Sequence, residues 1–241
     1  MDQVSLDRSA LAHFKVRPSY ATDAATATDL VAGIAADAGE GLIAVDLETT
    51  PLPSERERRA NLSRRAAEAK GKVQACAERR AAARRGADGA AEATAALAIA
   101  KAELAALQSA EDHAERAALD PHRSTARLCA LYGGGARVAV IDLHKVDWAV
   151  LAPVWERPIV MHNAAFDLGY LAQRGIEPVG VDCTLQAVRL LNGPDATSLE
   201  TAAATYFGLE LDKTLQVSDW GAEHLSLAQI AYAADDAVVT W

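Results

Sequence analysis

The hydrophobic pattern of the chain alternates between short apolar runs, which predict buried strands, and stretches with an apolar residue at every third or fourth position, which predict helices. The predicted strands begin with Leu42–Val45 and continue with Ala126–Tyr132, Ala136–Leu143, Pro158–Met161 and Val179–Val181. The predicted helices cover Ala24–Ala38, the stretch between the last two strands, Thr184–Leu191, Ser198–Phe207 and Leu225–Trp241. This alternation is typical of an α/β protein.

Three consecutive glycines, Gly133–Gly135, separate two of the predicted strands. Glycine supplies the backbone conformations that a tight hairpin turn needs. The triplet lacks the spacing of a GxGxxG loop, so it predicts a turn and not a phosphate-binding loop.

The pattern changes between residues 54 and 118, where the chain has no proline and is rich in Ala, Arg, Glu and Lys. These residues favour helices, and the break Gly86–Gly89 divides the stretch in two. An Ala-rich apolar seam recurs on both halves, at Leu62, Ala66, Ala69, Val73, Cys76 and Ala83, and at Leu97, Ala100, Leu104 and Leu107. The sequence therefore predicts an antiparallel α-helical hairpin (54–118), each arm about 45 Å long, inserted into one discontinuous domain (1–53 and 119–241).

Composition narrows the class of protein. Hydrophobic residues make up 51% of the chain, which argues against disorder. No apolar run reaches the roughly 18 residues of a membrane span, and the N-terminus has no signal-peptide core. Three cysteines, Cys76, Cys129 and Cys183, are too few and too far apart for a disulfide framework or a zinc knuckle. We expect a cytoplasmic protein without membrane partners.

The net charge of −9 suggests at first that nucleic acid would be repelled. The charge is unevenly distributed, because the first hairpin helix has eleven Lys or Arg and four Glu between Ser54 and Gly86, a local charge of 11 − 4 = +7. Three interpretations remain open. This helix could bind the backbone of a nucleic acid, could be a solvated face with i,i+4 pairs such as Glu55–Arg59, or could dock onto a partner protein.

Two carboxylates, Asp46 and Glu48, end the first predicted strand in the segment LIAVDLETT. Residues i and i+2 of a strand share one face. Like charges that are buried together need a positive partner, and a divalent cation with oxygen ligands would supply it. The alternative is an ordinary exposed strand end.

Two further pairs have a spacing of four residues. Asn163 and Asp167 follow a predicted strand, and Tyr232 and Asp236 lie on one face of the last predicted helix. Asp235 is rotated about 100° away from Asp236. The alternatives are a helix cap at Asn163 with Asp167 in the first turn, and an amphipathic helix with tyrosine at its edge.

Together the three motifs, Asp-x-Glu, Asn-x-x-x-Asp and Tyr-x-x-x-Asp, resemble those of the DEDD superfamily of 3′–5′ exonucleases. With tyrosine in the last motif, the sequence resembles the DEDDy branch of this superfamily. That branch includes the proofreading domain of family A DNA polymerases and ribonuclease D. The resemblance covers about Tyr20–Pro53 and Asp120–Trp241 and excludes the hairpin. It implies a ribonuclease-H-like fold, a mixed sheet flanked by helices.

The resemblance also implies a metal-dependent phosphodiester hydrolase with two Mg²⁺ ions, for which Mn²⁺ substitutes. Asp46, Glu48 and Asp236 are expected to bind the first ion, with Asp46 bridging to the second and Asp167 acting through water. Tyr232 is expected to orient the attacking water.

The resemblance implies a substrate-binding set as well. Thr49 is expected to contact the terminal nucleotide, and Asn163 and Phe166 to line its pocket. Lys213, in the segment KTLQVSDW, is expected beside the site, where it either meets a phosphate or has a packing role.

We expect a 3′–5′ exonuclease that acts on single-stranded DNA 3′ ends and releases nucleoside 5′-monophosphates. Because the chain ends five residues after Asp236, we expect either a polymerase domain after Trp241 or a minimal free-standing domain. The alternatives are an RNA-trimming enzyme like ribonuclease D and a catalytically silent binding or scaffold module.

Overall fold

A computed structural model describes residues 9–83, 89–195 and 198–241 of the chain. Its strands are β1 (Arg17–Ala21), β2 (Ile43–Pro51), β3 (Ser124–Tyr132), β4 (Arg137–Asp142), β5 (Pro158–Met161) and β6 (Gly180–Cys183). Its α-helices are α1 (Ala10–His13), α2 (Ala24–Ala38), α3 (Pro53–Ala83), α4 (Ala90–Glu115), α5 (Ala152–Trp155), α6 (Ala164–Gln173), α7 (Thr184–Asn192), α8 (Leu199–Phe207) and α9 (Leu227–Thr240). Single 3₁₀ turns lie at Arg116–Leu119 and Trp148–Leu151.

The chain divides into two compact units, one formed by Met1–Thr50 with Thr125–Trp241 and the other by Pro51–Ser124. The domain limits 54–118 that the sequence suggests stay a prediction. Residues 86–88 of the predicted turn, together with Arg84 and Arg85, lie outside the described residues.

The first unit is built on a six-stranded mixed sheet in the order β1-β4-β3-β2-β5-β6. β3 and β4 pair antiparallel around Gly133–Gly135, as the sequence predicts. At this turn a Cβ on Gly133 would lie 2.5 Å from the backbone oxygen of Ile34, so glycine allows the close approach of α2. β2, β5 and β6 are parallel, so the ends of β2 and β5 meet at one edge of the sheet.

Alternating residues of the strands pack into two separate cores, one on each face of the sheet. On one face Ala44, Leu128 and Val160 pack with helices α1, α8 and α9. On the other face Val45 and Ile141 pack with α2, α5 and α6. Because side chains two apart share a face, Asp46 and Glu48 follow Ala44 on the face that α9 covers.

Strand β1 is absent from the sequence-based prediction, which begins its elements at Ala24. Its sequence, RPSYA, is polar and its first residues are exposed, so it lacks the apolar run that marks a buried strand. β1 pairs in parallel with β4, and the hydroxyl of Tyr20 donates to Asp142 at 2.7 Å. The pairing with β4 and the hydrogen bond of Tyr20 stabilise β1 although its own sequence does not predict a strand. The last predicted strand is also displaced, from Val179–Val181 to Gly180–Cys183.

The second unit consists mainly of the two helices α3 and α4, with 31 and 26 residues. They run antiparallel, because Arg59 near the start of α3 pairs with Glu115 at the end of α4 at 2.6 Å, and Lys72 pairs with Glu103 at 3.3 Å. Their buried seam consists of Leu62, Ala66, Ala69, Leu107 and Ala114, with Leu104 and Ala110 partly buried. Small side chains dominate this seam, so it buries little area per turn.

Candidate active site

Three carboxylates from two elements meet beside the central strand. Asp46 and Glu48 on β2 and Asp236 on α9 each place a carboxylate oxygen within 4.8 Å of the others. The period of two brings the first pair to the face that α9 covers. Helix α9 carries Asp236 there because its buried side, which includes Ile230, Ala233 and Ala237, packs on that face.

The start of α9 is fixed by a capping box. The hydroxyl of Ser226 accepts from the backbone amide of Gln229 at 3.2 Å, and the side-chain oxygen of Gln229 accepts from the backbone amide of Ser226 at 2.9 Å. Such reciprocal bonds satisfy two amides that the first helical turn leaves without partners. They fix the register in which Tyr232 and Asp236 face the sheet.

A fourth carboxylate, that of Asp167, contacts the same strand β2 from helix α6. It lies in the first turn of α6, which follows the end of β5, and is buried. Its Oδ1 accepts a hydrogen bond from the backbone amide of Leu47 at 3.2 Å. Leu47 lies between Asp46 and Glu48, so Asp167 is anchored directly to the segment that carries the first two carboxylates.

A lysine lies within the carboxylate cluster. The ammonium of Lys213 donates to both oxygens of Asp236 at 2.8 Å and to the hydroxyl of Tyr232 at 3.4 Å. It also lies 5.2 Å from the centre of the Tyr232 ring, and Trp220 packs against the same ring. Lys213 therefore supplies positive charge to the cluster and lies close to both the hydroxyl and the ring of Tyr232.

Burial raises the pKa of every acid in the group, and the neighbouring carboxylates add to the rise for three of them. Burial and the charge of Asp236 raise the pKa of Asp46 to about 7, although Lys213 opposes the rise. The pKa values of Glu48 and Asp167 are also raised, first by burial and then by Asp46. Burial raises the pKa of Asp236, and Lys213 limits that rise. Such a group attracts cations.

Comparison with known proteins identifies the family. A family model described as 3′–5′ exonuclease matches residues 90–241, more than half of the chain. The chain belongs to this exonuclease family. The matched range excludes β2, so the family model does not cover Asp46 and Glu48, whose carboxylates the fold brings next to that of Asp236.

Two curated proteins are similar to the exonuclease over part of its length. DNA polymerase I of Aquifex aeolicus is 44% identical over 102 residues, which cover 42% of this chain and 18% of the polymerase. Ribonuclease D of Acidiphilium cryptum is 36% identical over 121 residues, which cover 47% of this chain and 30% of that protein. The chain thus spans less than a third of either relative. These similarities support a hydrolytic exonuclease.

The fold of the exonuclease is similar to that of solved relatives. The crystal structure of Escherichia coli RNase D matches 93% of this chain and 42% of its own, with a TM-score of 0.58 and 16% identity. The predicted ribonuclease-H-like fold, a mixed sheet flanked by helices, is confirmed. Among the residues that the structure describes, no helix combines the length and the hydropathy that crossing a membrane requires.

The other sequence-predicted site residues lie near the ends of β2 and β5. Thr49 follows Glu48 on β2 and is buried. Asn163 is exposed and takes a left-handed backbone conformation (φ 57°) just before α6, with no side-chain capping bond. Phe166 lies in the first turn of α6, against the core and 5.2 Å from the ring centre of Tyr170. The predicted roles of these residues in substrate binding stay predictions.

Asp235 has a structural partner that its position in the sequence does not indicate. Its carboxylate accepts a hydrogen bond from the backbone amide of Leu11 at 2.8 Å. Its pKa is raised to about 6, mainly by burial. One step along α9 therefore turns adjacent acids to different partners, Asp236 to the cluster and Asp235 to helix α1.

The raised pKa of Asp46 leads to a testable pH dependence. An acid whose pKa is higher in the folded than in the unfolded chain contributes stability below its unfolded pKa of about 4, and that contribution is lost as the pH rises through the folded value of about 7. With chelator present, we expect the thermal midpoint to fall by several degrees between about pH 5 and about pH 8. Asp46→Asn should make this fall smaller in a thermal melt, while the contribution of Asp235, whose pKa is raised to about 6, remains. If the parent and the Asp46→Asn variant lost thermal stability in parallel as the pH rises, the raised pKa of Asp46 would be contradicted.

Proposed function

We propose that the protein is a Mg²⁺-dependent exonuclease that removes nucleoside 5′-monophosphates from single-stranded DNA 3′ ends, in the manner of the proofreading domain of a family A DNA polymerase. The observation that carries the proposal is the cluster of Asp46, Glu48 and Asp236, with Asp167 bonded to the same strand. Its four acids are the residues that the DEDDy resemblance implies.

The donor set fits a hard divalent cation. All three clustered ligand atoms are carboxylate oxygens, which Mg²⁺ and Mn²⁺ prefer over the softer donors of cysteine or histidine. Burial and mutual repulsion disfavour the charged forms of these acids, as the raised pKa values of Asp46 and Glu48 indicate. A bound cation would offset that repulsion, so the arrangement favours metal binding. Two bound ions would stabilise the attacking and the leaving oxygen of the phosphodiester.

Each acidic side chain has a proposed task. Asp46, Glu48 and Asp236 would hold the first ion, and Asp46 would also help to hold the second. Asp167 acts through water, since its Oδ1 already accepts from the backbone of Leu47. The acids contribute charge and position, and no covalent intermediate with the protein is required.

Tyr232 and Lys213 complete the proposed machinery. Burial and the nearby carboxylates raise the pKa of Tyr232, so its hydroxyl stays protonated and can donate a hydrogen bond. That hydroxyl orients the attacking water. Lys213 neutralises Asp236 and is positioned to approach the negatively charged phosphate.

The 3′-terminal nucleotide is proposed to bind at the ends of β2 and β5. Thr49 would contact it through its backbone or hydroxyl, and Asn163 and Phe166 would line its pocket. These residues border the carboxylates in the chain, Thr49 next to Glu48 and Phe166 next to Asp167. This arrangement would bring the terminal phosphodiester to the acids.

DNA is favoured as the substrate by the higher identity to DNA polymerase I, 44% against 36% for ribonuclease D. A polymerase domain following Trp241 belongs to the same proposal. RNA trimming is the second candidate, and the ribonuclease D similarity supports it. A catalytically silent module is disfavoured because all four acids are present.

The proposal is tested with the purified chain, Mg²⁺ or Mn²⁺, and 5′-labelled single-stranded DNA and RNA of one sequence. We expect the DNA to shorten one nucleotide at a time from its 3′ end, with no shortening in chelator or with a blocked 3′ end. Faster shortening of RNA would transfer the assignment to the ribonuclease D type. If neither substrate shortened with either metal, the assigned active site would be wrong.

A further inference from the structure

Four basic residues on α3 recur at intervals of seven: Arg58, Arg65, Lys72 and Arg79. We call them the basic row. Seven residues turn a helix through almost two full turns, so the row drifts by only about 20° per step. At about 1.5 Å per residue its members lie about 10 Å apart over about 30 Å of one helix side.

The members of the basic row are exposed. Arg65 and Arg79 are exposed, and the side chains of Arg58 and Lys72 are 54% and 61% exposed. The helix around them carries nine Lys or Arg and four Glu, a charge of 9 − 4 = +5, within Pro53–Ala83. Helix α4 has the opposite sign, with one Lys and five acids, or 1 − 5 = −4, within Ala90–Glu115. The net positive charge of the pair therefore lies on α3.

We propose that the basic row is a nucleic-acid-binding surface that contacts the phosphate backbone of a single-stranded substrate without reading its bases. The inference rests on the proposed exonuclease function, because it deepens how that enzyme holds its substrate. α3 begins at Pro53, five residues after Glu48 in the chain.

A charge zipper between the two helices is the competing explanation for the row, and the pattern of α4 argues against it. Lys72 pairs with Glu103 at 3.3 Å. A zipper with the same repeat would need acids seven residues to either side of Glu103, where the sequence has Ala96 and Ala110. Those alanines leave Arg79 and Arg65 without acids in the matching positions.

Pairs within α3 do not neutralise the row either. The i,i+4 pair Glu55–Arg59 that sequence spacing suggests is replaced, because Arg59 pairs with Glu115 and Glu55 with Arg123. Arg58 is 3.7 Å from Glu55, and such exposed pairs contribute little, typically below about 1 kcal/mol. Arg58 and Lys72 can therefore exchange their carboxylates for phosphates at small cost.

The physical consequence of phosphate binding is a characteristic salt dependence. Each phosphate that a cation neutralises releases a counterion, and the slope of log affinity against log salt is about −0.7 per contact for single strands. Because the row offers four cations and no aromatic side chain, the affinity should depend on salt and length and little on base sequence.

The test measures binding apart from catalysis. In the full chain carrying Asp236→Asn, with chelator present, the affinity for labelled single-stranded DNA and RNA is measured by fluorescence anisotropy over a salt series. The row variant combines Arg65→Gln, Lys72→Gln and Arg79→Gln. We expect its affinity at low salt to fall on the order of tenfold to a hundredfold for both nucleic acids, and its salt slope to become shallower by about 2.

A matched control removes the same charge elsewhere. Lys101→Gln, Arg116→Gln and Lys145→Gln also lower the net charge by three at exposed positions outside the row. The control should bind almost as the parent does, with an unchanged slope. Equal losses in both variants would overturn the proposal in favour of net charge, and no loss in either would show that the row does not bind.

Helix content by circular dichroism confirms that the row variant still folds. The row substitutions are also placed in the chain with Asp236 intact and assayed with Mg²⁺. If trimming persists while binding is the same with and without the row, the row proposal fails and the proposed function stands. If the row controls binding but no variant trims, the proposed function fails instead.

Discussion

Replacing Asp236 by asparagine is expected to lower the rate of 3′ trimming by on the order of a thousandfold or more, because it removes one carboxylate from a three-acid cluster. Loss of a group that only orients a metal ligand costs about 10–100-fold, and loss of the ligand itself should exceed that. The fold should survive, since asparagine keeps the size of the side chain and one oxygen that can accept from Lys213. Single-turnover assays on 5′-labelled DNA measure the effect.

Asp235→Asn is the matched control for this substitution. It makes the same chemical change one residue away on the same helix, where the side chain accepts from the backbone amide of Leu11. An amide oxygen can accept that bond equally well, so trimming should stay within a few-fold of the parent. Similar losses in both variants would mean that the helix is perturbed and that Asp236 has no special role.

Replacing Asp142 by alanine is expected to produce the largest loss of stability, about 3–5 kcal/mol. Asp142 is fully buried and accepts from Arg127 at 2.9 Å and from Tyr20 at 2.7 Å. The substitution would leave Arg127, whose side chain is 3% exposed, without the carboxylate that its guanidinium pairs with. Chemical denaturation monitored by circular dichroism measures the change in the free energy of unfolding.

A double variant separates the cost of an unpaired charge from the cost of lost packing. Asp142→Leu combined with Arg127→Met removes both charges and keeps side-chain volume, and such replacements of buried ion pairs are often neutral. We expect the double variant to be more stable than Asp142→Ala alone. If it were equally unstable, packing and not the unpaired guanidinium would account for the loss.

The carboxylates could be predicted from sequence because each lies in an element with a clear period. The two-residue repeat of β2 brings Asp46 and Glu48 to one face, and the spacing of four does the same for Tyr232 and Asp236 on α9. Periodicity fixes a face and nothing more. Helix α9 packs on the face of β2 that bears Asp46 and Glu48, so that the carboxylate oxygens of the two strand acids and of Asp236 lie within 4.8 Å of one another. This packing depends on contacts between distant segments, which no local pattern contains.

Lys213 shows why part of the site was beyond prediction. It lies between α8 and α9 in a segment without regular secondary structure, so no repeat indicates where its side chain points. The sequence left open whether it meets a phosphate or only packs, whereas the structure has it bonded to Asp236. Strand β1 was missing from the sequence-based prediction for a related reason. An edge strand that is stabilised by pairing with β4 and by the hydrogen bond of Tyr20 needs no apolar run of its own.

The repeating alanine seam of α3 and α4 makes the length of the hairpin adjustable. Deleting seven residues from each helix would remove almost two turns, or about 10 Å, and would bring equivalent side chains back into register. Because small residues occupy most of the seam, few large side chains would have to find new partners. Packing along this seam would therefore allow the insertion to be lengthened or shortened in steps of two turns, while the six-stranded sheet keeps its sequence unchanged.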